Sequence, residues 1–266
     1  MDHKPVLNLK PALKRLLLDP FHDCLAALEK PMLSPRPGRA MILMIVALVV
    51  TWFVYVPIHE LLHAYGCMVT GGTVTELQID PKYGGKLLQP YFPFVKPGGA
   101  YAGRLTGFDT RGSDWIYLAT DFGPFVLSVF PGVALLLLCR RRSRPLLLGA
   151  AVVLGLAPFY NITGDYYEMG STITTRLWTL IAGTGDGKIA YEFVRSDDIF
   201  RWFGEFFSKR KEWGVTRLGT VTTMFLFLAS LALSVILAFV TYAVGRVVGR
   251  LVVRNVGRGY VVSQTA

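Results

Sequence analysis

Charged side chains are scarce, at 17% of the 266 residues, against roughly 25% in an ordinary soluble domain. Apolar and aromatic residues make up 52%, which excludes a disordered chain and argues against a water-soluble globule. Acidic residues are the scarcer half, 18 against 28 Lys and Arg, for a net charge of +10. In a soluble protein that balance points to nucleic acid. Here the basic residues flank apolar runs, so anionic lipid headgroups are the expected partner and nucleic acid is not. Cysteine is nearly absent: Cys24, Cys67 and Cys139 are scattered, with no CxxC pair, which excludes a disulfide framework. There is no long repeat, and no polar stretch large enough for a separate soluble domain.

What the chain has is length in uncharged runs. Met41–Ile58 is eighteen residues without a charge, and Thr220–Gly245 is twenty-six. About eighteen are enough to read as a transmembrane helix. The expected fold is an all-α membrane protein, multi-pass and expected in the cell membrane. It should have about four transmembrane helices and a small β-hairpin or strand insertion after the first. Residues 1–39 form a tail in which Leu7, Leu9, Leu13, Leu16 and Leu17 alternate with Lys10, Lys14 and Arg15, the pattern of an amphipathic surface helix. Residues 40–182 form the embedded core. Span one runs over about 39–66. Residues 67–113, dense in glycine and proline and alternating along Thr73–Ile79, read as strands and turns. Span two covers about 114–139 and ends in Arg140-Arg141-Arg142-Ser143-Arg144, a headgroup anchor or topology signal. Span three covers about 145–160, and a further helix fits 166–182. Residues 183–219 are a loop with an interfacial amphipathic helix, in which Ile199, Phe200, Trp202, Phe203, Phe206 and Phe207 suit the water–lipid boundary. The loop's Gly183-Thr184-Gly185-Asp186-Gly187-Lys188 departs from the Walker pattern and reads as a turn. Residues 220–266 are the final span and a basic tail, with a GxxxG pattern at Gly245 and Gly249 interrupted by Arg246.

Span one ends in His59-Glu60-Leu61-Leu62-His63, an HExxH motif. The i, i+4 spacing puts both imidazoles on one helix face, where they can share one zinc ion. Glu60 lies beside them as a general base. From this composition the pattern should occur by chance about 0.002 times in such a chain. Ionisable groups at membrane depth are expensive and usually functional, although the same residues could simply cap the wet end of a helix. Pro57, just upstream, removes one helical hydrogen bond. A catalytic zinc takes three protein ligands and keeps one open position. The other histidines, His3 and His22, lie in the tail, so the third ligand is expected to be a carboxylate. Asp165, Glu168, Asp121 and Glu76 are the candidates. Spans one and three run in the same direction, so the end of span three lies on the same membrane side as His59 and His63. That puts Asp165 first, with Glu168 and Asp121 as alternatives. Asp165 could equally serve as the N-cap of the helix that follows. Asn161 is a candidate substrate-binding residue or a helix C-cap.

HExxH within a transmembrane helix resembles the site-2 protease family of intramembrane zinc metalloproteases. The resemblance extends over roughly 41–182: Gly71-Gly72-Thr73-Val74 after the motif, Gly123-Pro124 opening a later helix, then Asn161 and Asp165. It implies an endopeptidase that cuts a membrane-spanning or membrane-proximal protein, with Asp165 as third zinc ligand. It also implies an active site facing the cytosol, whereas the four-arginine loop favours a cytosolic N-terminus. The chain departs from the family where Asp165 is followed by Tyr166, not glycine, and in its short Asn161–Asp165 interval. A strand edge within 72–105 could hold an unwound substrate by β-addition. The competing reading is a non-catalytic membrane scaffold or binding protein that retains a metalloprotease-like fold. Glu60 speaks against it, because a purely structural site needs no base. A transporter is disfavoured by the lack of paired broken helices.

Overall fold

The computed structural model describes residues 9–183, 194–196, 199–208 and 218–262. The turn at 184–188, Trp213, His3 and Leu7 lie outside the described residues. Helix α1 is Leu9–Met32 and α2 is Pro37–Val69. Proline at its first position suits α2, since no helical N–H is needed there. Strand β1 (Thr73–Ile79) follows, then a short helix α3 (Gly85–Leu88), β2 (Val95–Pro97) and β3 (Gly103–Asp109). The remaining helices are α4 (Asp114–Cys139), α5 (Pro145–Gly155), α6 (Ala157–Tyr160), α7 (Asp165–Ala182), α8 (Ile199–Ser208) and α9 (Thr220–Val262).

Three helices are long and apolar enough to cross a membrane: α2, α4 and the Thr220–Arg254 part of α9. The shortest has 26 residues, about 39 Å at 1.5 Å per residue, against a hydrocarbon core of about 30 Å. The fourth span expected over 145–160 is divided at Leu156 into α5, of 11 residues, and the 4-residue α6. Neither piece reaches the length of a span. The strand insertion is more than a hairpin. Its order is β2-β1-β3, with β1–β2 parallel and β1–β3 antiparallel, Leu77 opposite Leu105. The parallel pair requires the crossover through α3.

The chain divides into two compact units. The first gathers residues up to Leu48, Val129–Leu156 and the chain from Phe239 onward. Small residues set its packing. A Cβ on Gly149 would press on the Met44 carbonyl and Ala47 of α2, and Gly245 and Gly249 of α9 lie against Val129 and Ala134 of α4. The GxxxG pattern therefore works as a packing face despite Arg246. That arginine turns to α1, where its Nε donates to Asp23 Oδ2 at 2.7 Å. Arg140 and the Tyr242 hydroxyl also bond to Asp23, and Arg246 pairs with Asp19. The Asp23 carboxylate has no solvent exposure, so removing any of these donors would leave a buried charge short of partners.

The second unit holds Val49–Ser128 and Ala157–Ala238. The sheet packs its apolar face, Leu77, Ile79 and Val95, on Leu61 and Ala64 of α2, within and just beyond the HExxH motif. Helix α4 crosses α2 at close range. A Cβ on Gly66 would lie 2.5 Å from the Ala119 carbonyl oxygen, and one on Gly123 would lie 2.5 Å from the Leu62 carbonyl oxygen. Helix α8, expected at an interface, buries Trp202 and Phe206 on Tyr167 of α7 and Phe227 of α9, while Phe200 and Phe203 remain exposed. Trp202 stacks on Phe227 at 4.2 Å between ring centroids.

Gly66→Val should weaken the fold by about 1–3 kcal/mol, because the α4 backbone has nowhere to move. Gly38→Val, whose Cβ would meet nothing within 4 Å, serves as the control. Thermal unfolding in detergent checks this: a clear drop for Gly66→Val and a smaller one for Gly38→Val is expected. Equal melting of the two would contradict the close-crossing account.

Candidate metal centre

His59 and His63, one turn apart on α2, both point into the second unit and are 7% and 8% exposed. The close α2–α4 crossing brings the Thr120 carbonyl to 2.8 Å from His63 Nδ1. A carbonyl oxygen only accepts, so Nδ1 carries the proton and His63 Nε2 presents a lone pair. His59 Nδ1 lies 2.7 Å from the Tyr55 hydroxyl, one turn earlier on α2. The His59 ring is wedged between Tyr55 and Phe125, at centroid distances of 5.1 and 5.8 Å.

Asp165 is the first residue of α7, where the helix dipole favours an anion. The N-cap position is Gly164, so the N-cap alternative for Asp165 does not describe this turn. The turn is shaped by Asn161, whose Nδ2 donates to the Ala157 carbonyl and whose own carbonyl accepts from Gly164 and Tyr166. It delivers the Asp165 carboxylate to the histidines, with Oδ2 3.1 Å from His59 Nε2 and Oδ1 3.6 Å from His63 Nε2. The two Nε2 atoms are themselves 3.2 Å apart.

Among the described residues, His59, His63 and Asp165 form the group that could hold a metal ion, with donor atoms within 4.8 Å of one another. Their separations test the fit. Donors bound at about 2.0–2.2 Å around a tetrahedral ion are about 3.3–3.6 Å apart; the two Nε2 atoms are 3.2 Å apart, and each has a different oxygen of the Asp165 carboxylate at 3.1 or 3.6 Å. Asp165 Oδ2 is buried with no hydrogen-bond partner, although His59 Nε2 is close by. Electron pairs that face each other in this way repel unless a cation or proton lies between them. Two nitrogens and one oxygen also match the three-ligand pattern of catalytic zinc, which leaves a fourth position open.

A cavity of about 960 Å³ opens beside this group, lined by Glu60, His63, Asp121, Asn161, Asp165 and Glu168 among others. Glu60 is held from behind by Gly103 of β3. Any Cβ there would overlap the Glu60 side chain, so only glycine fits without a shift. Glu168 and Asp121 reach the cavity but do not belong to the donor group. One Asp121 carboxylate oxygen is buried and unbonded. Glu76 is occupied elsewhere: hydrogen bonds from Gln78 and Thr106 on the sheet hold its carboxyl below the ordinary range.

Sequence reasoning missed four contributors. Tyr55 could have been found, since it sits at i−4 from His59. The Thr120 carbonyl could not, because every residue has one. Gly103 and Arg195 reach the cavity from distant segments, and Arg195 lies over the Tyr117 ring at 3.2 Å. Comparison with protein-family models, curated proteins and solved structures gives no match.

Metal analysis of the purified chain should find about one zinc per molecule and should lose it in His59→Ala and Asp165→Ala. Asp121→Asn and Glu168→Gln should keep it. Tyr55→Phe should weaken binding about tenfold, the usual loss when the partner of a ligating imidazole is removed. Full zinc retention in Asp165→Ala would disprove the ligand set.

Proposed function

We propose that the chain is an intramembrane zinc metalloprotease. On this reading it is a multi-pass protein of the cell membrane in which α5 and α6 together make a fourth, broken span. It hydrolyses a peptide bond of a membrane-spanning or membrane-proximal protein. One observation carries the proposal: three metal-type donors converge beside a cavity that also contains the Glu60 carboxylate. A structural site has no use for that base.

His59, His63 and Asp165 would hold the ion. Zinc bound there would act as a Lewis acid toward a water and toward the scissile carbonyl. Glu60 takes the proton from the attacking water, and the same carboxyl then returns it to the leaving amine. A transmembrane helix has its backbone groups bonded internally and must be unwound before attack. Strand β3 lies at the edge of the β2-β1-β3 sheet, and Gly103, Arg104, Leu105 and Thr106 line the cavity. An unwound substrate can pair with that edge as a further strand, which brings its backbone beside the metal donors and Glu60. Asn161, whose amide nitrogen donates within its own turn, lines the same cavity, where it can meet extended substrate.

Glu60→Gln should keep the metal and lose cleavage of a model transmembrane substrate by about 10²- to 10⁴-fold, the usual contribution of a general base. Gly103→Ala should lower turnover while the zinc content stays at the wild-type level. Both are read by metal content and product formation on the same preparations. Undiminished cleavage by Glu60→Gln would overturn the proposal.

A further inference from the structure

The first unit carries a second cavity, of about 490 Å³, lined by Leu137, Arg140, Arg141, Arg250, Val253 and Arg254. Its four arginines come from two segments more than a hundred residues apart, the end of α4 and the late part of α9. Each segment reaches the cavity after a long uncharged run. In α4 the run is Phe122–Cys139, and in α9 it is Thr220–Gly245. Each run is about the length that fills a bilayer core. The arginines that follow the runs, Arg140 and Arg141 at the end of α4 and Arg250 and Arg254 one and two turns past Arg246 on α9, therefore lie at headgroup depth, reached independently from two helices.

The charges in the cavity are not balanced. Arg140 is paired with Asp23, and so is Arg246 nearby on α9. Arg141, Arg250 and Arg254 have no ion-pair partner among the described residues, and all three are exposed. The floor is different in kind: Leu137 and Val253 are 8% and 6% exposed. A rim of guanidinium groups recognises phosphate oxygens through paired hydrogen bonds, and an apolar floor suits glycerol and acyl carbons. The cavity is also large enough for a ligand of that size.

We propose that this pocket is a binding site for the phosphate headgroup of an anionic phospholipid. The shared chemistry is a phosphate oxygen on arginine, which free phosphate could also supply. The apolar floor and the position at headgroup depth select the lipid. The site is independent of the metal centre, so it stands even if the chain is not a protease.

The test is a binding titration of the full chain in nonionic detergent with three probes: dihexanoyl phosphatidylglycerol, dihexanoyl phosphatidylcholine and sodium phosphate. Saturable binding of phosphatidylglycerol alone is expected. Arg250→Gln and Arg254→Gln should each weaken it about fivefold, Arg250→Lys should restore most of it, and Arg142→Gln, outside the pocket, should leave it unchanged. Glu60→Gln should also bind as wild type. Equal binding of both lipids would overturn the proposal. So would an Arg142→Gln loss as large as that of Arg250→Gln, which would mean a diffuse surface charge. Displacement of phosphatidylglycerol by an equal concentration of phosphate would reassign the pocket to free anions. If the arginine variants do not fold, the comparison of the three probes on the wild-type chain decides the matter alone.

Discussion

Two imidazole nitrogens and the two oxygens of the Asp165 carboxylate face one another in the second unit, at 3.1–3.6 Å. Electron pairs that face each other repel unless a cation or a proton lies between them, and most of the surroundings serve to hold these groups in place. Nδ1 of His63 is tied to a backbone carbonyl, which fixes its tautomer and turns Nε2 inward. The His59 ring is clamped by Tyr55 and Phe125. Asp165 is the first residue of a helix, where neither its backbone nor the helix dipole opposes the negative charge.

This geometry depends on missing side chains. Gly66 and Gly123 let α4 approach α2 closely enough for the Thr120 carbonyl to reach His63. Gly103 lets β3 pass against Glu60. The sheet in turn is held on α2 by Leu61 and Ala64, within and just beyond the motif. The same residues that form the HExxH helix thus also anchor the strand edge beside the cavity. In the first unit Gly149, Gly245 and Gly249 allow comparable approaches between helices, while the Asp23 cluster fixes α1 by paired charges.

The three long apolar helices and the strand-forming stretch are legible in the sequence because each is a local pattern: an uncharged run, an alternation, a cluster of glycine and proline. The placement of His59 and His63 on one face is local as well, following from 3.6 residues per turn. Asp165 is harder. No local feature separates it from Glu168 or Asp121, and the preference for it rests on counting spans. The break at Leu156 was not legible, since Pro145–Tyr160 is apolar throughout, and neither was the β2-β1-β3 order, because strand order is set by which edges meet in space. The aromatic stripe of α8 was legible but its division was not: Ile199, Trp202 and Phe206 bury on Tyr167 and Phe227, while Phe200 and Phe203 stay exposed.

The central claim is that these donors surround a zinc ion. X-ray absorption at the zinc edge, on the full chain purified without added metal, tests it most directly. The account predicts a four-coordinate shell of two imidazole nitrogens and two oxygens at about 2.0–2.2 Å, one oxygen from Asp165 and one from solvent. A shell without imidazole scattering, or a chain that carries no zinc, would contradict it.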